Sequence, residues 1–342
     1  MAANLSPEFK DAQEAYRRAR EPEERLDCLR EMLRTIPKHK GTEHLQADIK
    51  TRIKELSDEL AGHRKGGART GPSFVVKPEG AGQVALLGPP NSGKSLLHAR
   101  LTGSHAVVGP YPFATKAPLP GMLPFEDIHF QLVDLPPIAA NFIEPWLANA
   151  LENADAALLL IDLADPECVE QVAAIESQLE SKRVSLAVPG TSPALSAPTS
   201  QEDELASVFR LHLPAVLLAN KADRLAVPEA ELLAFRELTG LPFPALAVSA
   251  ETGQGLSSLG PLLFDLLQIV RVYTKVPGHP AETHRPFTLP RGSRVRDVAR
   301  LVHRGRATEL KFARIWGSRE FDGQQVSGDH PVRDRDIVEL HW

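Results

Sequence analysis

Eight consecutive residues constrain this chain more than any other feature of it. Gly88-Pro89-Pro90-Asn91-Ser92-Gly93-Lys94-Ser95 follows the apolar run Gln83–Leu87 and opens a helical stretch. With the spacing GxxxxGK[ST] between a buried strand and a helix, the glycines let backbone N–H groups curl around phosphate oxygens. The positive helix N-terminus adds to that field. In this frame Lys94 reaches the β- and γ-phosphates and the Ser95 hydroxyl binds Mg²⁺.

The flanking pattern agrees with such a loop. From Gly82 onward, apolar runs at Gln83–Leu87, His129–Val133, Ala156–Ile161, Ala215–Ala219 and Pro244–Val248 read as buried strands. Helical stretches lie between them, near 94–103, 142–152, 167–181, 228–238 and 256–270. This alternation predicts an α/β domain, a mostly parallel sheet with helices on both faces, over 78–270. The Pro/Ser/Ala-rich stretch from Val184 to Gln201 reads as a flexible inserted loop. Before it in the chain, residues 1–77 carry apolar positions at helical spacing: Phe9, Ala12, Tyr16 and Ala19; Leu26, Leu29, Leu33 and Ile36; Leu45, Ile49, Ile53, Leu56 and Leu60. Three amphipathic helices follow from that spacing. Ser6 before Pro7 marks one start, and Thr42 is the expected N-cap of the third helix. After 270, short strands at Val270–Thr274, Pro286–Leu289, Lys311–Trp316 and Asp336–Trp342 with a helix inside 293–303 predict a small α+β domain over 271–342.

Composition excludes several classes. Cys28 and Cys168 are the only cysteines and lie far apart, so no disulfide framework or multi-cysteine zinc site can form, and a reducing, cytoplasmic setting is expected. The longest apolar run is a strand's length, and the first residues have no apolar core of a signal peptide, so no membrane association is expected. The 12 His show no HxxxH or HExxH spacing. The net charge of −5 is unevenly spread: +3 over 1–77, −13 over 78–270 and +5 over 271–342. Basic ends around an acidic middle suit contact with a polyanion through the ends. Arg296, Arg300 and Arg304, opposite the apolar face of the C-terminal helix, and Lys38-His39-Lys40 are the candidate phosphate contacts, each equally readable as a solvated face.

Three further elements follow the loop in order. Asp134 closes the strand Phe130–Val133, where a carboxylate can hold Mg²⁺ through water. Asn220-Lys221-Ala222-Asp223 follows the strand Ala215–Ala219, and an Asp carboxylate there accepts both N1–H and the 2-amino group of guanine, donors that adenine lacks. Ser249-Ala250-Glu251 follows the last strand, with backbone placed for the guanine O6.

In this order the four elements resemble the translation-factor-like P-loop GTPases. Tyr111-Pro-Phe-Ala-Thr115-Lys-Ala-Pro resembles the switch I stretch of the Obg family. Ile36-Pro-Lys-His-Lys-Gly-Thr42-Glu resembles the helical N-terminal region of its DRG branch, and Arg285-Pro-Phe-Thr-Leu-Pro-Arg-Gly-Ser293 looks like a TGS domain, a β-grasp fold. The resemblance implies that Thr115 reaches Mg²⁺ and the γ-phosphate. It also implies that Asn91 helps to hold a K⁺ supplying the charge an arginine finger gives elsewhere. Ile138 stands where many GTPases carry a water-positioning glutamine, an apolar choice typical of this family.

Lys94, Thr115 and Asn91 are therefore the candidate catalytic residues, and Ser95, Thr115 and Asp134 the candidate metal ligands. Residues 88–95, Asn220, Lys221, Asp223, Ser249, Ala250 and Glu251 are the candidate nucleotide contacts. The implied activity is slow, Mg²⁺-dependent GTP hydrolysis, with K⁺ or a protein partner completing the site and ribosomal or structured RNA as partner. The chain departs from the family in three places. Switch II reads Asp134-Leu135-Pro136-Pro137, with proline where a glycine N–H meets the γ-phosphate. Ala114 replaces the first threonine of switch I, and the long insert of eukaryotic DRG proteins has no counterpart beyond 184–206. A nucleotide-binding adaptor with little switching is therefore the second reading. A YchF-type ATPase is the third, and Asn220-Lys221-x-Asp223 speaks against it.

Overall fold

The computed structural model describes residues 5–19, 22–37, 42–64, 74–104, 117–190, 207–317 and 321–342. Three helices come first: α1 (Pro7–Arg18), α2 (Pro22–Thr35) and α3 (Glu43–Arg64). Ser6 caps α1 by accepting from the Phe9 N–H at 3.1 Å, with Pro7 in the first turn. The Thr42 hydroxyl, just before α3, donates to the Pro37 carbonyl at 2.6 Å. Phe9, Leu29, Met32 and Ile49 fill the centre of this bundle, and Val208 of the next domain is buried among them.

The central domain runs β1 (Gln83–Leu87), α4 (Lys94–Thr102), β2 (Leu119–Phe125), β3 (Ile128–Asp134), α5 (Leu147–Leu151), β4 (Ala156–Asp162), α6 (Cys168–Ser181), β5 (Val184–Ala187), β6 (Leu211–Asn220), α7 (Pro228–Thr239), β7 (Ala245–Ala247) and α8 (Leu259–Leu267). Its seven strands are ordered β2-β3-β1-β4-β6-β5, with β7 also on β6. All pairs are parallel except β2–β3. Burial on both faces explains the continuous apolar strands. In β4, Ala157, Leu159 and Ile161 pack under α5, α6 and α7, while Ala156, Leu158 and Leu160 pack under α4 and α8.

Several sequence expectations need correction. The edge strand β2 was not foreseen, because Leu-Pro-Gly-Met-Leu-Pro-Phe carries two prolines and a glycine; a sheet edge tolerates them. Val184–Ala187, expected to begin a loop, is a parallel strand on Leu211–Pro214. The rest of that expected loop, from 191, lies outside the described residues, as do Lys38, His39 and Lys40. The helix expected over 142–152 spans only Leu147–Leu151, since Ala139 and Phe142 close a tight turn upon each other and Pro145 cannot donate to a helix.

The C-terminal domain comprises β8 (Ile269–Lys275), β9 (Ala281–Pro290), α9 (Val295–Val302), β10 (Phe312–Trp316), β11 (Gln324–Val326) and β12 (Asp336–His341). Its sheet, β11-β10-β12-β8-β9, packs one face on α9 through Val272, Val298, Ala313, Ile315 and Val338. The short strand β11 was likewise not foreseen. Arg271, with 5% of its side chain exposed, joins this domain to the central one. Its guanidinium donates to Asp334 at 2.7 Å, to Asp127 at 2.8 Å and to Glu126, the last two forming the β2–β3 turn. These hydrogen bonds, Asp334's foremost, hold the guanidinium above its ordinary pKa. Tyr273 donates its hydroxyl to Asp127, and its pKa is pushed up to about 12 by burial and by that bond. Among the described residues no helix is long and apolar enough to cross a membrane.

Candidate functional site

The phosphate loop leaves β1 and enters α4. Gly88 and Gly93 both hold positive φ. A Cβ on Gly88 would lie 2.3 Å from the Leu160 carbonyl oxygen, and one on Gly93 would lie 2.3 Å from Asn220 Nδ2, so neither position accepts a side chain. Asn91 at the outer bend also has positive φ (60°), which asparagine tolerates, and is exposed. Inside the loop the Lys94 Nζ donates to the carbonyls of Gly88 at 3.0 Å and Pro89 at 2.9 Å. Ser92 Oγ donates to Pro89 O at 2.9 Å. Burial lowers the Lys94 pKa to about 8, against the pull of the Asp134 charge.

Asp134, fully buried at the end of β3, accepts from the Ser95 hydroxyl at 2.6 Å. A hydroxyl and a carboxylate are the hard oxygen donors Mg²⁺ takes, and its remaining ligands come from phosphate and water. A close backbone cradle, a lysine held inside it and this oxygen pair thus fit a Mg²⁺–phosphate group.

Asn220 ties the site together. Its Nδ2 donates to Ser92 O at 2.8 Å, and its Oδ1 accepts from the Ala250 N–H at 2.9 Å. One side chain thus links the phosphate loop to the loop after β7. Ser249 is fully buried and turns that loop by accepting the Thr252 N–H on its hydroxyl at 3.0 Å. Lys221 takes positive φ and pairs with Asp162 at the end of β4, 2.6 Å away. Asp223 is exposed on the short turn Ala222–Arg224, with no hydrogen bond among the described residues, and Glu251 is exposed in the loop after β7. Thr115 and Ala114 lie outside the described residues.

Two residues escaped the sequence reading. Arg100, on α4, donates to three successive carbonyls: Ala250 (3.2 Å), Glu251 (2.7 Å) and Thr252 (3.0 Å). Its only sequence signal was a cation in the last turn of the helix that Lys94 opens. Asp162 gave a weaker one, an acid closing a buried strand. Beyond Asp134, Leu135, Pro136, Pro137 and Ile138 are all buried, and the Ile138 N–H donates to Gly88 O at 3.1 Å.

A phosphate cradle joined through an asparagine to a second strand-end loop is the arrangement of a P-loop GTPase domain, here followed by a β-grasp sheet. The family described as 50S ribosome-binding GTPase matches residues 83–189, and the TGS domain family matches 270–341. Developmentally-regulated G-protein 1 of Arabidopsis thaliana is 26% identical over 91% of this chain and 88% of its own length. Developmentally-regulated GTP-binding protein 2 of Bos taurus is 23% identical over 93% and 98%. These matches support an Obg/DRG-type GTPase with a C-terminal TGS domain. In fold it is similar to the Schizosaccharomyces pombe YchF GTPase, with a TM-score of 0.51 at 13% identity over 79% of this chain and 100% of that one.

Proposed function

We propose that this protein binds GTP and GDP with Mg²⁺, hydrolyses GTP slowly, and regulates a process on the ribosome or another structured RNA in the cytoplasm. The observation that carries the nucleotide part is Asn220, which makes the phosphate loop and the Ser249–Glu251 loop one unit. Asp223 is the guanine-selecting carboxylate, and Lys94 stabilises charge on the β- and γ-phosphates. Mg²⁺, held by Ser95 and Asp134 with Thr115, supplies further positive charge when bound. Asn91 is the proposed K⁺ ligand. The buried Ile138 side chain cannot orient a water, so a bound partner or K⁺ completes the site and intrinsic turnover is low. Support for the RNA part comes from the basic ends and from the ribosome-binding description of the matching family.

The adaptor reading is favoured by one specific observation: the Ile138 N–H is already spent on Gly88, and Pro136 and Pro137 before it have none. Co-sedimentation with ribosomes, with a non-hydrolysable GTP analogue and with GDP at several salt concentrations, tests both readings. Stronger binding with the analogue supports a regulatory switch, and equal binding supports the adaptor. No binding at low salt overturns the RNA part.

A further inference from the structure

The arginines that the sequence offers for RNA are largely spoken for. Arg296 and Arg294 pair with Asp329, and Arg300 pairs with Asp297. The opposite side of the C-terminal domain differs. Its sheet buries one face on α9, and strand alternation puts Phe312, Arg314, Trp316, Ile337, Glu339, His341, Tyr273 and Lys275 on the other. Of the aromatic residues in that set, none belongs to the domain core. The β2–β3 turn covers the Tyr273 end through Asp127. At the far end Arg314 is exposed, and Phe312, Trp316 and His341 are half-buried.

There the side chains form an ordered surface. Phe312 and His341, paired across the strands, stack with centroids 4.4 Å apart and planes 13° from parallel. The Lys275 ammonium sits 4.3 Å from the Trp316 ring centroid. On β8, β10 and β12 the one outward carboxylate, Glu339, is buried beneath Lys275 (3.4 Å) and His341 (2.8 Å). Arg314 stands exposed between the two aromatic sites, with no ion pair or hydrogen bond among the described residues. Lys311 lies at the rim, donating to the Trp342 carbonyl. Flat rings roughly 13 Å apart along one strand, with an exposed cation between them, match unpaired nucleic acid. Bases lie on the rings and phosphates meet the cations. A duplex keeps its bases stacked inside and offers nothing to the rings.

We propose that the far half of this sheet face, Phe312, Arg314, Trp316, His341 and Lys275, is a platform for two or three nucleotides of unpaired RNA. It rests on the RNA part of the proposed function and not on the nucleotide chemistry of the phosphate loop.

The test uses the full chain and a labelled ten-nucleotide RNA of mixed sequence, alone and annealed to its complement, read by fluorescence anisotropy from 50 to 300 mM salt. The single strand is expected to bind about tenfold or more tighter than the duplex. Trp316→Ala weakens it about tenfold, and Trp316→Phe restores most of the loss. Arg314→Glu weakens binding and lowers the salt slope by about one. Arg296→Ala with Arg300→Ala changes little. Far-UV circular dichroism and an unchanged affinity for fluorescent GDP establish that each variant is folded. Equal affinity for duplex and single strand, losses that follow Arg296 and Arg300 instead, or no strand binding at 50 mM salt overturns the platform. Ribosome co-sedimentation of the same variants separates the two proposals. A wild-type chain that sediments with ribosomes but ignores free strands removes the platform alone. One that binds strands but not ribosomes removes only the ribosomal partner.

Discussion

The backbone N–H of Ile138 donates to the carbonyl of Gly88 across 3.1 Å, so the segment after Asp134 rests on the floor of the phosphate loop. Ile138 is fully buried in the core beneath α5 and α6, and the two residues before it are prolines. A segment built this way has no N–H at 136 or 137, and the one at 138 is already engaged by Gly88, so little is left to meet a γ-phosphate. GTP and GDP are therefore expected to bind within about threefold of each other. Pro137→Gly restores a donor to a charged acceptor and should create a preference for the GTP analogue of about tenfold. Competition against a fluorescent nucleotide measures both ratios, and an unchanged ratio in the variant removes this explanation.

Arg100 acts through backbone only, so its loss should loosen the 249–252 loop without touching the phosphate cradle. Arg100→Met is expected to weaken GDP binding by about fivefold and leave pyrophosphate binding unchanged, since the exposed guanidinium is worth about 1 kcal/mol there. Isothermal titration with both ligands checks it. Equal losses for the two would mean that the arginine supports the whole site.

The pH dependence follows from Lys94. Burial brings its ammonium to about 8, below the ordinary 10.5. Below pH 8 the group is charged in both folded and unfolded chains, and its burial penalty is fully present. The penalty is relieved as pH rises from 8 toward 10.5, because the folded chain has then lost a proton the unfolded chain still holds. A phosphate beside Lys94 favours the ammonium, so binding above pH 8 takes up a proton. GDP affinity should fall there by up to about tenfold per pH unit. Titrations at pH 7, 8 and 9 decide it, and a flat profile would contradict the buried-lysine account.

Arg271 binds the TGS domain to the β2–β3 turn through Glu126, Asp127 and Asp334. Arg271→Met leaves Asp127 with no cation among the described residues, and leaves Glu126 and Asp334 only the exposed Arg335, 2.8 and 4.0 Å away. Because those acids are partly exposed, a cost of about 2–3 kcal/mol is expected, at the lower edge of a broken buried pair. Calorimetry should show a lower melting temperature and a TGS transition separating from that of the central domain. A single unshifted transition would mean that the domains are joined by other contacts.

How much was legible in the sequence varied with how local each feature is. Lys94, Ser95, Asp134 and Asn220 were readable because motif, strand end and order coincide within a few residues. The helices of the N-terminal bundle were readable from their 3.6-residue spacing. Leu119–Phe125 was not, since Pro120, Gly121 and Pro124 mask a strand that only an edge position permits. Arg100 was hidden because its partners are carbonyls, which every residue has. The Arg271 cluster joins positions 144 residues apart, and no spacing rule reaches that far. The arginines on α9 were visible, but not the Asp297 and Asp329 that engage them.

Among the described residues the N-terminal bundle leans on the central domain around Val208, at Glu152 and at Arg183, which pairs with Asp48 at 3.1 Å. Val208 fills the bundle's core, and Arg25 and Arg52 both reach Glu152. Gln13 donates to the Val208 carbonyl beside them. A truncation starting at residue 78 would therefore uncover Val208 and Phe209 and strip Glu152 of both cations. The resulting protein would tend to aggregate, and a weak nucleotide signal from it would be misattributed to the phosphate loop. Biochemistry on this protein belongs on the intact chain.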